Sequence, residues 1–187
     1  MITDELIARC ARKDARAQYE LYRALYGTMM AICSRYEKNL SDAKDRMNQG
    51  FLKILENIGN RGNDVPFEPW ARRILINTVI DGFRKEQRRK EHEQVGVDQT
   101  MDSNPGINEY LQQMEAEALT ALMQRLPGMS RQVFNLFAID GYGHAEIASM
   151  LGISEGTSKW HVSTARAQLQ RALQEGWKRS SVNIAIR

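Results

Sequence analysis

Apolar residues recur along most of this chain at three- and four-residue steps, the spacing of helices with one buried face. From Ile2 to Leu25 the apolar positions are Leu6, Ile7, Tyr19, Leu21, Tyr22 and Leu25, set among Arg, Lys, Glu and Gln. This reads as an amphipathic helix with Thr3 as its N-cap. Beyond Gly27 the spacing continues through Met29, Met30, Ile32, Cys33 and Tyr36 until Asn39. A third helix is expected from Ser41, as its cap, with Ala43, Met47, Phe51, Ile54, Leu55 and Ile58 on one side. Residues 57–66 hold two glycines, three asparagines and a proline, which makes a loop. A fourth helix then runs from about Phe67 toward Glu93, with Trp70, Ile74, Leu75, Thr78 and Val79 toward the core.

The pattern lapses over residues 94–108, which carry Asn-Pro-Gly and no period, and a linker is predicted there. It resumes with Tyr110, Leu111, Met114, Leu119, Leu122, Met123 and Leu126. Leu126-Pro127-Gly128 breaks it, Ser130 is the predicted cap of a short helix through Phe137, and Asp140-Gly141 ends that helix. No stretch alternates as a strand does. The predicted fold is all-α, in two small helical domains: residues 1–93, the linker 94–108, and residues 109–187.

From Tyr142 the pattern tightens. A short helix with Ala145, Ile147, Ala148 and Leu151 meets Gly152, and Ser154 then caps a second helix. Its inward positions are Thr157 or Ser158, Val162, Ala165 and Leu169. Helix, glycine turn and capped helix within about 22 residues is helix-turn-helix spacing. The outer side of the second helix keeps Glu155, Gly156, Lys159, Trp160, Ser163 and Arg166, polar groups suited to base edges and cations suited to phosphates.

Charge adds a second signal. Residues 1–90 carry 18 Lys/Arg against 12 Asp/Glu, and residues 125–187 carry eight against four. Between them, residues 91–124 hold seven acids and no Lys or Arg. Two basic modules joined by an acidic connector suggest two anion-binding units. Within the first, the Asn/Gly loop is followed by Phe67 and Trp70 and then by Arg72, Arg73, Asn77, Arg84, Lys85, Arg88, Arg89 and Lys90. Loop amides beside aromatic rings can hold an unstacked base while the cations track the backbone. For either aromatic taken alone, ordinary core packing is the commoner explanation.

Other classes fall away. No run of about 18 apolar residues is present, so no membrane insertion is expected. The N-terminus lacks the apolar stretch of a signal peptide, which points to a cytoplasmic protein. Cys10 and Cys33 are too few for a disulfide framework. His92, His144 and His161 lack metal-ligand spacing, and no phosphate-binding glycine loop or nucleophile–base pair is visible. Neither metal nor cofactor nor enzymatic activity is expected.

Three stretches in this order resemble the sigma-70 family of bacterial RNA polymerase initiation factors, in its small extracytoplasmic-function group. Asp42-Ala-Lys-Asp-Arg-Met-Asn-Gln-Gly-Phe-Leu-Lys53 is similar to region 2.2, the helix that docks on the β′ clamp. Phe67 through Asp81 is similar to the stretch that melts and reads the −10 element. Leu126 through Leu173 resembles region four, the reader of the −35 element. The resemblance implies a non-enzymatic factor that binds core RNA polymerase, through the β′ clamp and β flap, and promoter DNA. An anti-sigma factor is a candidate further partner.

By the same resemblance Asp45, Asn48, Gln49, Phe51 and Lys53 would meet the polymerase. Asn60, Arg61, Asn63 and Asp64 would capture a flipped base, with Phe67 or Trp70 stacking on it. Arg73, Asn77, Arg84, Lys85 and Arg88 would follow the adjacent DNA. Arg131, Glu155, Gly156, Thr157, Lys159, Trp160, Ser163 and Arg166 would meet the −35 duplex, Glu155 as an acceptor from cytosine N4. The acidic connector would thread the polymerase cleft. Against the family pattern, Lys44, Arg46, Asn48 and Gln49 make region 2.2 less acidic, Gly143 replaces a serine cap, and Trp160 and His161 replace smaller or basic residues. The rival reading is a freestanding helix-turn-helix regulator that never meets polymerase.

Overall fold

A computed structural model describes residues 2–62, 64–91 and 116–184. The chain divides into two compact units, Met1–Gln94 and Val95–Arg187. All regular structure among the described residues is helical. The predicted linker, and with it Tyr110, Leu111 and Met114, lies outside the described residues.

The first unit holds α1 (Asp4–Ala11), α2 (Ala15–Tyr36), α3 (Leu40–Asn57), a 3-10 turn (Ile58–Asn60) and α4 (Phe67–Glu91). As expected, Thr3 caps α1, its hydroxyl accepting from the Leu6 amide at 3.2 Å. The single helix expected from Ile2 to Leu25 is broken. Lys13 takes a left-handed φ of 62°, and Asp14 begins a new helix by accepting from the amides of Arg16 and Ala17 at 2.9 and 3.1 Å. The other oxygen of Asp14 accepts from the Arg9 guanidinium at 2.8 Å. That hydrogen bond, with the amides, lowers the Asp14 pKa. Periodicity cannot reveal such a break, because apolar spacing is nearly in phase across it. Asn39, rather than Ser41, caps α3, accepting from the Asp42 amide at 2.9 Å.

The core of this unit is built from Leu21, Leu25, Met29, Ile32, Cys33 and Tyr36 of α2, Ala43, Met47 and Ile54 of α3, and Leu75, Ile76 and Val79 of α4. Each such Leu, Ile or Met contributes about 1.5–3 kcal/mol by leaving water. Gly50 lets α3 and α4 approach closely: a Cβ there would fall 2.4 Å from Cδ1 of Leu75. Cys10 and Cys33 are buried, and burial pushes the Cys33 thiol up to about 12. It is an apolar core residue without thiolate chemistry at neutral pH.

The second unit holds α5 (Ala116–Met123), α6 (Gly128–Phe134), a π-helical turn (Asn135–Ile139), α7 (His144–Leu151) and α8 (Glu155–Ile184). Leu122, Met123, Leu126, Phe134, Ala165 and Leu169 form one cluster, and Ile147, Leu151 and Val162 are buried as well. Ser130 does not cap α6. The helix begins at Gly128, and Ser130 is buried inside it with its hydroxyl 3.0 Å from Nδ1 of His161. Gly141 and Gly152 have φ of 79° and 69°, and Gly152 closes α7 with its amide on the Ala148 carbonyl at 2.9 Å. Ser154 caps α8, accepting from the Thr157 amide at 3.0 Å.

Candidate nucleic-acid interface

In the first unit the site begins where α3 runs out. Ile58 is buried and anchors the 3-10 turn. Val65 donates its amide to the Gly62 carbonyl at 3.1 Å, and the Arg61 guanidinium folds back onto the Val65 carbonyl. Asn60 and Asp64 are exposed on this loop and Arg61 is half-buried. Asn63, a fourth base-capture candidate, lies outside the described residues.

The two aromatics separate. Phe67 is 7 % exposed and packs into the core, with its ring 5.8 Å from that of Trp70. Its role as a stacking platform is therefore corrected: a buried ring offers no face to a base, because the apolar packing that starts α4 consumes it. Trp70 is half-buried and remains the aromatic available beside the loop. At about 100° per residue, Trp70, Arg73, Asn77, Arg84 and Arg88 fall within an arc of about 60° on α4, opposite buried Val79. Arg73, Asn77, Lys85 and Arg88 are exposed and Arg84 is half-buried. The result is a polar stripe roughly 27 Å long that begins at an aromatic ring.

On α3, Asp45, Asn48 and Gln49 are exposed, as a docking face requires. Lys53 is half-buried and reaches Asp81 of α4 at 3.4 Å, a pair too open to water to be worth more than about 1 kcal/mol. Phe51 is corrected: at 8 % exposure it belongs to the core, edge-on to Tyr22 with ring centroids 5.1 Å apart. Tyr22 also donates its hydroxyl to Asn48 at 3.4 Å. Periodicity had already placed Phe51 inward.

In the second unit, Val162, Ala165 and Leu169 are buried positions of α8, as read from spacing, and of the two candidates Thr157 and Ser158 it is Ser158 that is buried. Glu155, Gly156 and Lys159 are exposed at its N-terminal end, while Thr157, Trp160, Ser163 and Arg166 are half-buried. The Arg166 guanidinium lies 5.7 Å over the Phe137 ring. The other ring against Phe137 is His144, stacked at 4.5 Å, and its Nδ1 is 3.0 Å from the Ser158 hydroxyl. Burial, then nearby Lys159, lowers the His144 pKa, and burial lowers that of His161. Both imidazoles are structural, a role that sequence spacing did not disclose. Arg131 is corrected as a DNA contact. Every residue from Ser130 to Leu136 is buried, and Arg131 donates to Gln124 at 2.6 Å rather than facing outward. Gly143 supplies no side-chain cap, but its amide donates to Glu146 at 2.9 Å.

Among the described residues no group of three or more His, Cys, Asp or Glu is arranged to hold a metal ion, and no helix is long and apolar enough to cross a membrane.

These features agree with known proteins. Residues 21–89 match the family model for sigma-70 region 2, and residues 116–169 match that for sigma-70, region 4. The chain is 29 % identical to the ECF RNA polymerase sigma factor SigM of Mycobacterium tuberculosis over 180 residues, covering 96 % of this chain and 88 % of that protein. It is 25 % identical to the RNA polymerase sigma-H factor of Pseudomonas aeruginosa, covering 93 % and 97 %. Among solved structures, the sigma factor RpoE of Bartonella quintana, determined in complex with the anti-sigma factor NepR, shares the fold. Its TM-score is 0.51 at 18 % identity, over 83 % of this chain and 96 % of that one. The family is one of non-enzymatic initiation factors. With both of its regions present in order, this chain belongs to the sigma-70 family and is an RNA polymerase sigma factor of the extracytoplasmic-function group.

Proposed function

We propose that the first unit docks on the β′ clamp through Asp45, Asn48 and Gln49 and opens the −10 element, while the second reads the −35 duplex beside the β flap. The supporting observation is the α4 stripe, which starts at Trp70 beside the loop and continues through Arg73, Asn77, Arg84 and Arg88. A base leaving the duplex stacks on Trp70 while Asn60, Arg61 and Asp64 read its edge. The cations hold the displaced strand. Flipping costs a few kcal/mol, and base–aromatic stacking, worth about 1–3 kcal/mol, offsets much of it.

In the second unit, Glu155, Gly156, Thr157 and Lys159 enter the major groove, and Ser163 and Arg166 contact the flank. Trp160 packs its indole along the same side. The factor works in the cytoplasm with the polymerase, and an anti-sigma factor that binds it is a further partner under this reading. The test is transcription by purified core polymerase on a random promoter library. Transcripts from a restricted promoter set that need this protein support the reading. Specific binding of the protein alone to palindromic half-sites, with no effect on polymerase, would replace it by the freestanding regulator.

A further inference from the structure

Arg46 stands on the side of α3 that faces α4, where a charged residue is unexpected against a packed neighbour. Its Nε donates to Glu37 at 2.9 Å and its Nη1 donates to Gln49 at 3.1 Å. Three quarters or more of each partner in the Glu37 pair is covered, with side-chain exposures of 25 % for Arg46 and 15 % for Glu37. The guanidinium has room because residue 82 of α4 is glycine. A Cβ there would lie 2.0 Å from Cζ of Arg46 and 2.3 Å from Nη2. No turn or positive φ explains Gly82, which sits inside a 25-residue helix where glycine is unfavourable. The close approach of Arg46 does explain it.

Arg46 and Gly82, with Gln49 and Lys85, line two adjoining hollows of about 520 and 470 Å³ between α3 and α4. They form the wall between them. Beyond the wall, one hollow carries Glu37, Asp42, Asp45 and Glu86 with Arg89, and the other carries Lys53, Arg84 and Arg88 with Glu56 and Asp81. The wall thus stands between a mainly acidic hollow, next to the docking residues of α3, and one of mixed charge that holds Arg84 and Arg88 of the DNA-tracking stripe of α4.

We propose that Arg46, seated on Gly82, is a positioning residue: it fixes the polymerase-facing Gln49 and the DNA-facing end of α4 in one arrangement, so that docking on the polymerase and holding the displaced strand are mechanically joined. It touches neither partner itself. The inference rests on the proposed function, because it needs Gln49 and the α4 stripe to be the working faces.

Gly82→Ala separates positioning from stability. The new methyl meets only the far end of a flexible side chain, so α4 need not distort, and alanine is the better helix former. A purely structural role predicts a lower melting temperature, as the displaced guanidinium loses Glu37, with promoter opening by the folded protein unchanged. The positioning role predicts an intact fold with opening slowed about tenfold or more at saturating protein, since misplacement by about 1 Å can cost up to a hundredfold. Arg46→Met, which keeps most of the packing volume without the hydrogen bonds, should slow opening equally. Gly82→Ala added to Arg46→Met should change nothing further.

The measurement is the rate of promoter opening by reconstituted holoenzyme of the full chain, with core affinity and thermal melting recorded on the same samples. Unchanged opening by Gly82→Ala, or independent effects of the two substitutions, would overturn the inference. Trp70→Ala run in parallel identifies what failed. If it slows opening while the Arg46 and Gly82 variants do not, only the coupling is wrong. If it too leaves opening unchanged, the reading of the α4 stripe falls, and this inference with it.

Discussion

Gly152 sets the turn of the DNA-reading helix pair, and replacing it gives a prediction free of packing effects. Its φ of 69° and ψ of 36° are left-handed, and an added Cβ would meet nothing within 4 Å. Gly152→Ala therefore introduces only conformational strain, about 1–2 kcal/mol. Reduced freedom of the unfolded chain returns about 0.4–1 kcal/mol. The net destabilisation is about 1 kcal/mol, a shift of roughly 4–8 °C in the melting of a unit of this size. Asn tolerates the left-handed region better than Ala, so Gly152→Asn should cost less. Hydrogen exchange on the full chain, read by peptide, places the effect. Amides of α7 and α8 that open with the unit should exchange about fivefold faster in Gly152→Ala, and those of α2 and α3 at the original rate. The reasoning fails if Asn proves as costly as Ala, or if Ala leaves α7 and α8 unchanged.

Other outcomes follow from the same geometry. Trp70→Ala should slow promoter opening by roughly 5- to 150-fold, the equivalent of about 1–3 kcal/mol of lost stacking, with core affinity unchanged in a binding titration. Arg88→Gln should lower the slope of log affinity for promoter against log salt by about 0.7, the release of one counterion from the displaced single strand. His144 and His161 have pKa values lowered below 6.5. The unfolded chain takes up protons below about pH 6.5 while the folded unit resists them. Stability is therefore full above that pH and falls as pH drops through it, and urea midpoints between pH 5 and 7.5 should show this slope flattening in the double Gln variant. Arg131→Met should leave the salt dependence of promoter binding intact, because the buried guanidinium holds Gln124 and meets no phosphate; a changed slope would restore it as a DNA contact.

Much of this fold was legible because a helix announces its buried face at fixed intervals. Val162, Ala165 and Leu169 were readable from spacing, as were Thr3 and Ser154 as caps, and the glycine turn between α7 and α8, whereas spacing left Thr157 and Ser158 as alternatives. Capping choices at crowded starts were not. Asn39 and Ser41 both suit a cap, and only the backbone geometry before Leu40 selects the first. The break at Lys13 was hidden because the apolar phase survives it. The site was legible by residue type and less so by exposure. Phe67 and Phe51 have the chemistry for contact, but each lies where its helix turns inward. Arg131 carries a charge that composition assigns to the surface, yet α6 is buried all round and its partner is seven positions away in sequence. Arg46 was visible only as a departure from the family pattern. Its meaning needed Gly82, 36 residues on, to come beside it.

The account depends on one protein joining polymerase and selecting where it starts. Purified core polymerase should begin transcription at a narrow class of promoters, each with a −10 and a −35 element, only when this chain is added, and less readily as salt rises. Failure of the chain to join core polymerase at any ionic strength, or transcripts identical with and without it, would contradict the account.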